Sequence, residues 1–261
     1  MNNEAKNTPT TSPLHEWRGV RGEVNCDMGE GTGNDELLMP YIQAANIACG
    51  YHAGNAAIME QTIQLCLKYG VAVGAHPSFQ DRENFGRTEM NLPVQELYEL
   101  IIQQLIILKE VADHCGAKLH HVKPHGALYN LSARDALTAN IIARAVMDFD
   151  SGLVLYGLSG SYSISEAKML GLKTASEVFA DRTYRDDGSL TPRSEPGAMI
   201  EKTTDAVKQA MQMLNRGTVT SLSGKEIPVL AETICIHGDG KHAVEFAKAI
   251  HEAIKTGDNG K

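Results

Sequence analysis

Residues 22–30 read Gly-Glu-Val-Asn-Cys-Asp-Met-Gly-Glu, and the alternation within them decides the fold. In an extended chain, successive side chains leave opposite faces. Val24 and Cys26 therefore share one face, while Asn25 and Asp27 share the other. The same alternation returns in Val73-Gly74-Ala75-His76, in His121-Val122-Lys123-Pro124-His125 and in Ile234-Cys235-Ile236-His237. Strands of an open, doubly wound sheet are covered by helices on both faces and tend to be apolar throughout. Strands with one apolar and one polar face instead suit a closed sheet: helices cover the outside, and the polar faces share an interior.

Working outward, the apolar runs predict strands at Gly22–Asp27, Ala44–Cys49, Val71–His76, Leu119–Lys123, Leu153–Leu158, Leu172–Val178 and Glu232–His237. Helical patterns fall between them at Ala56–Tyr69, Val94–Cys115, Asp135–Asp148 and Ala198–Leu214, with Ala243–Ile254 closing the chain. Ser132 is a candidate N-cap, and Gly116 and Gly217 are candidate C-terminal caps. Strand–helix alternation implies parallel strands joined by right-handed crossovers. The fold class expected is α/β, a single seven-stranded parallel β/α barrel of the TIM type, with an open sheet as the alternative. Residues 218–229 add either a short hairpin or an eighth strand.

Length and charge agree with this. The 261 residues are long for one ordinary domain and normal for one closed barrel. We expect a disordered tail over residues 1–18, which hold little that can pack, and one catalytic barrel domain over 19–261. The net charge of −8 argues against nucleic acid or an anionic membrane surface as the main partner. No apolar run approaches the roughly 20 residues that span a bilayer, and no hydrophobic signal segment opens the chain. Five cysteines without paired or metal-type spacing suit reduced thiols in a cytoplasmic protein.

Polar residues gather where the predicted strands end, the position of the site in parallel β/α folds. His52, His76, His125 and His237 all stand there, alongside Asp27, Glu177, Asp181, Arg182 and Asp239. Lys123 shares a face with His125, and an inward lysine needs a partner: Asp27, Glu177 or an anionic substrate. Asp81-Arg82 and Asp181-Arg182 read either as loop ion pairs or as arginines that grip a carboxylate. Gly29-Glu30-Gly31-Thr32-Gly33 lacks the dinucleotide spacing, and neither Gly224-Lys225 nor Gly240-Lys241 has the surroundings of a phosphate loop. Cys26, Cys49 and Cys235 are expected to pack beneath the helices.

Six motifs in order, VNCDMGE, NIACGYHAG, GAHPSF, VKPHGALYN, EVFADRTY and ICIHGD, resemble the lactam-utilisation protein family from about Gly22 to Ile254. Tyr51 stands where the family pattern suggests Phe. The family's bacterial members are the A subunits of the ATP-dependent 5-oxoprolinase. The resemblance implies a seven-stranded barrel related to carbohydrate deacetylases. It also implies conversion of 5-oxo-L-proline, ATP and water to L-glutamate, ADP and phosphate, and two partner subunits, B and C. Carried over by position, the catalytic candidates are Asp27, His76, Lys123, His125, Glu177 and His237; Asn25, His52, Asp181, Arg182 and Asp239 are candidates for binding substrate. Asp27 or His125 is then the expected base, and Lys123 or His237 the electrostatic stabiliser. ATP is the co-substrate, handled by or with the partners. Two other readings stay open: a metal-dependent deacetylase or amidohydrolase with the ion on Asp27, His76 and His125, and a regulatory chain that only senses 5-oxoproline. The positive charge of Lys123 weighs against a tightly held divalent metal.

Overall fold

The computed structural model describes residues 22–240 and 242–258, with side chains to residue 256; the tail expected over 1–18 lies outside them. Strands β1 (Glu23–Met28), β2 (Ala44–Ala48), β3 (Ala72–His76), β4 (Leu119–Val122), β5 (Val154–Leu158) and β6 (Lys173–Phe179) pair in sequence order. Next come β7 (Thr218–Thr220) and β8 (Glu226–Pro228), which form a separate antiparallel hairpin. Finally β9 (Thr233–His237) pairs with both β6 and β1, closing a seven-stranded barrel in which every pairing is parallel. Residues 218–229 thus form the hairpin and contribute no eighth barrel strand.

The helices are α1 (Asp35–Leu38), α2 (Ala56–Tyr69), α3 (Val94–His114), α4 (Gly126–Arg134), α5 (Ala136–Phe149), α6 (Tyr162–Met169), α7 (Thr203–Arg216) and α8 (Ala243–Asp258). In α3, Leu97, Ile101, Leu105, Leu108 and Ala112 recur every three or four residues and are all buried. The N-cap of α5 is Asp135, whose carboxylate accepts the Thr138 N–H at 2.7 Å, and not Ser132. Ser132 lies within α4, its hydroxyl bonded to the Tyr129 carbonyl. Gly217 does end α7 as expected, in the left-handed region at φ 64°. That helix begins at Thr203 rather than Ala198, because residues 182–199 fold back through antiparallel bridges between Arg182 and Met199 and between Tyr184 and Leu190. Among the described residues, no helix is long and apolar enough to cross a membrane.

The outward strand faces carry Val24, Cys26, Ile47, Val73, Val122, Val178, Ile234 and Ile236, all buried in the main core beneath the helices. Burying each large aliphatic side chain contributes about 1.5–3 kcal/mol. Inside the barrel, Ala44, Ala72 and Tyr156 form a small apolar base. Above it the interior is polar. Asn46 donates to Asn25 Oδ1 (2.7 Å) and Asp27 Oδ1 (2.9 Å), and its own oxygen meets His121 Nε2 at 2.8 Å. The His121 ring stacks on Tyr156, with centroids 4.2 Å apart. Register aligns this layer: Asp27 lies opposite Asn46 and His237, Asn46 opposite Gly74, and Gly74 opposite His121. A Cβ at Gly74 would lie 2.1 Å from His121 Nε2, so the missing side chain is the room the imidazole occupies.

Candidate active site

A cavity of about 780 Å³ opens where the strands end. Asp27, His76, Lys123, His125 and His237 line it, each at or just past the end of a barrel strand. Loop residues 182–194 and the start of α4 make its upper wall.

Lys123 is 2% exposed, and its ammonium lies 2.8 Å from both Asp27 Oδ1 and Glu177 Oε1. Asn25 Oδ1 at 3.2 Å and Cys235 Sγ at 3.0 Å complete its surroundings. These four neighbours engage all three donors of the ammonium. Burial disfavours the charged lysine, but Asp27, Cys235 and Glu177 outweigh it and hold the ammonium well above the usual lysine range. Burial likewise pushes the Asp27 carboxyl up, and the neighbouring His76 and Lys123 reverse this, holding it well below the carboxylate range. Cys235 therefore departs from its expected place beneath the helices. It shares the inward face of β9 with His237, and its thiol helps line the lysine's niche.

His237 is positioned by Asp181. The carboxylate accepts the backbone N–H of His237 at 3.1 Å and meets ring Nδ1 at 2.8 Å. Burial raises the Asp181 carboxyl, but His237 overrides it and keeps the group ionised below its usual range. With Nδ1 engaged, Nε2 is the nitrogen left to a ligand. The ring rests on Phe179, with centroids 5.5 Å apart.

On the opposite side, three imidazoles and a carboxylate crowd together. The rings of His52 and His125 stack with centroids 3.8 Å apart. His125 Nδ1 lies 2.9 Å from His76 Nε2, and Glu30 Oε1 lies 3.3 Å from His52 Nε2 and 3.6 Å from His125 Nδ1. Burial, reinforced by His76, pushes His52 down to about 3. Burial and the neighbouring imidazoles depress His125 well below its ordinary value. Burial also raises the Glu30 carboxyl, with Asp27 adding to the effect. Phe85 closes over this group in the left-handed region (φ 58°), and its carbonyl accepts from His125 Nε2. Gly86 follows, where a Cβ would stand 2.9 Å from both His125 and His52.

The remaining expected residues occupy supporting places. Asn25 and Glu177 are completely buried one layer below the cavity, bonded to each other at 2.9 Å. His52 sits behind His125, its Nδ1 on Ser78 Oγ at 2.9 Å. Arg182 borders the cavity but donates to the carbonyls of Thr191 and Ala198; burial and Arg193 push it down to about 10. Asp239 pairs with Arg87 at the rim, 2.8 Å apart. Glu30 and Asn46 were not among the residues expected from sequence, although both lie inside the quoted motifs, and Asn46 shares the inward parity of β2 with Ala44 and Ala48.

The LamB/YcsF family model matches residues 23–259. A relative from Bordetella pertussis, named as the A subunit of 5-oxoprolinase, is 49% identical over 238 residues, covering 89% of this chain and 94% of its own. One of the same name from Tolumonas auensis is 48% identical over 237 residues, with the same coverage. Among solved structures, the lactam utilization protein from Thermus thermophilus superposes with a TM-score of 0.85 at 40% identity, over 92% of this chain and 98% of that one. With its motifs, barrel and near-complete matches in agreement, the chain belongs to the LamB/YcsF family.

Proposed function

We propose that this chain is the A subunit of an ATP-dependent 5-oxoprolinase, acting with partner subunits B and C to convert 5-oxo-L-proline to L-glutamate as ATP becomes ADP and phosphate. One observation carries the reading: a cavity of small-molecule size has a lysine–dicarboxylate cluster in its floor and a histidine oriented by a buried aspartate beside it. The near-full-length relatives named for the A chain of 5-oxoprolinase supply the substrate class.

A five-membered lactam is a resonance-stabilised amide, and phosphorylating its oxygen makes the ring carbon open to water. In our reading, His237 then takes a proton from the attacking water and returns it to the ring nitrogen as the C–N bond breaks, which leaves a glutamyl acyl phosphate that a second water hydrolyses to glutamate and phosphate. Asp181 holds the ring for both transfers, the arrangement of a general acid–base dyad. This moves the base from Asp27 or His125 to His237. Asp27 is held ionised on the Lys123 ammonium, and His125 has Nε2 on a carbonyl and Nδ1 against His76. The Lys123 cluster fixes the charge of the floor, with no donor left over for substrate.

The test is His237→Ala in the complex reconstituted with both partners. Glutamate formation should fall at least about 10²-fold in kcat, with circular dichroism still showing a folded barrel. Wild-type turnover in a folded His237→Ala complex would remove His237 from the chemistry.

A further inference from the structure

Hydrogen bonds fix the tautomers of three histidines. His76 Nδ1 lies 2.7 Å from the Lys123 carbonyl, and His125 Nε2 lies 2.9 Å from the Phe85 carbonyl. A carbonyl only accepts, so each of these nitrogens carries the hydrogen. His52 Nδ1 meets Ser78 Oγ, whose own proton goes to the Phe79 carbonyl at 2.9 Å, so here too the nitrogen donates. In the neutral rings the other nitrogens, His76 Nε2, His125 Nδ1 and His52 Nε2, are left as lone pairs. His76 Nε2 faces His125 Nδ1 at 2.9 Å, and Glu30 Oε1 lies 3.3 Å from His52 Nε2 and 3.6 Å from His125 Nδ1. One ligand atom from each of the four residues lies within 4.8 Å of the rest.

Two lone pairs facing each other at 2.9 Å repel unless a cation or a proton lies between them. We propose that Glu30, His52, His76 and His125 bind one divalent first-row transition-metal ion of the zinc type. Three imidazoles and one carboxylate are a donor set such ions accept. Metal-binding histidines characteristically donate their second nitrogen to a carbonyl or similar acceptor, as all three do here. Zn–N bonds of about 2.0–2.1 Å in a tetrahedral site place the donor atoms about 3.3 Å apart. The three pairs at 2.9, 3.3 and 3.6 Å bracket that edge, and His52, stacked on His125, has to turn to aim its lone pair at the same ion. All four side chains are buried, so no water shell competes for the lone pairs.

The sequence alone weighs Lys123 against a cation. In the structure its ammonium lies on Asp27 Oδ1 and Glu177, whereas His76 faces Asp27 Oδ2 at 3.3 Å. The lysine's charge is thus already matched by two carboxylates. This geometry carries the metal site by itself, independently of the lactam reading.

The experiment uses the tag-free full chain, stripped with chelator and titrated with ZnCl2 or CoCl2 alone. Calorimetry should give one equivalent per chain, and the cobalt form should show visible ligand-field absorption of a low-symmetry, four-coordinate site. The near-isosteric Glu30→Gln should weaken binding at least about 100-fold. Ser78→Ala, which only frees the His52 tautomer, should weaken it about 10-fold, whereas His114→Ala on the exposed end of α3 should leave it unchanged. Absence of stoichiometric uptake would overturn the site, as would uptake that Glu30→Gln and Ser78→Ala leave untouched. Nitrogen NMR showing His76 doubly protonated, with no metal taken up, would assign the pair to a shared proton instead.

Discussion

At the scale of single residues, the buried charges make the sharpest demands. A single ammonium, that of Lys123, bridges Asp27 and Glu177, both almost without solvent. Removing one partner of a buried ion pair costs about 3–5 kcal/mol because it strands the other charge. Lys123→Met should therefore lose about that much stability in denaturant unfolding, and unchanged stability would contradict the network. Gly74→Ala tests the packing of the same layer. Its methyl enters the His121 ring, and overpacking of this kind costs about 1–3 kcal/mol, read as a lower denaturation midpoint. The lysine's pairing was legible beforehand, since an inward lysine in a strand must meet a carboxylate. Asn46 and Glu30 were not. The partners of Asn46 come from positions 19 to 75 residues away, and Glu30 lies past its strand, where parity says nothing about direction. Arg182 read as a possible substrate clamp because its Thr191 and Ala198 acceptors are backbone carbonyls, which carry no side-chain signature.

Among the elements, α5 offers the cleanest test of what starts a helix here. Asp135 accepts the Thr138 N–H, and hydrogen bonds to Thr138 hold its carboxyl below the ordinary aspartate range. Asp135→Ala should destabilise the protein by about 1 kcal/mol, the usual loss for an N-cap. Because the folded-state pKa is lowered, the charged cap's contribution is complete above the unfolded value near ~3.9 and fades as pH falls through the folded value. The gap between wild type and Asp135→Ala, followed by urea unfolding, should thus be constant near neutrality and narrow in acid. A gap that widens in acid would reverse the sign. Strands and long helices were readable because their apolar spacing is regular over many residues. By contrast, α4 begins at Gly126, two residues after Pro124, where both residues signal a loop, and α6 buries only Ser163, Ile164 and Ala167 in eight residues.

For the whole molecule, parity carried the topology. Apolar-out, polar-in alternation in β1, β3 and β9 matches a closed barrel, and the seven strands close in the expected order. The exception in strand count, 218–228, has runs of only three residues on either side of a turn, too short to join a barrel wall. The polar interior ends in one cavity, to which we assign the ring-opening half of an ATP-coupled reaction shared with other subunits. The most direct measurement follows glutamate release from 5-oxo-L-proline and ATP by this chain alone, by subunits B and C alone, and by all three together. We predict glutamate, with ADP formed one for one, only from the complete mixture. Robust glutamate formation by this chain alone, or equal formation by the partners without it, would contradict that division of labour.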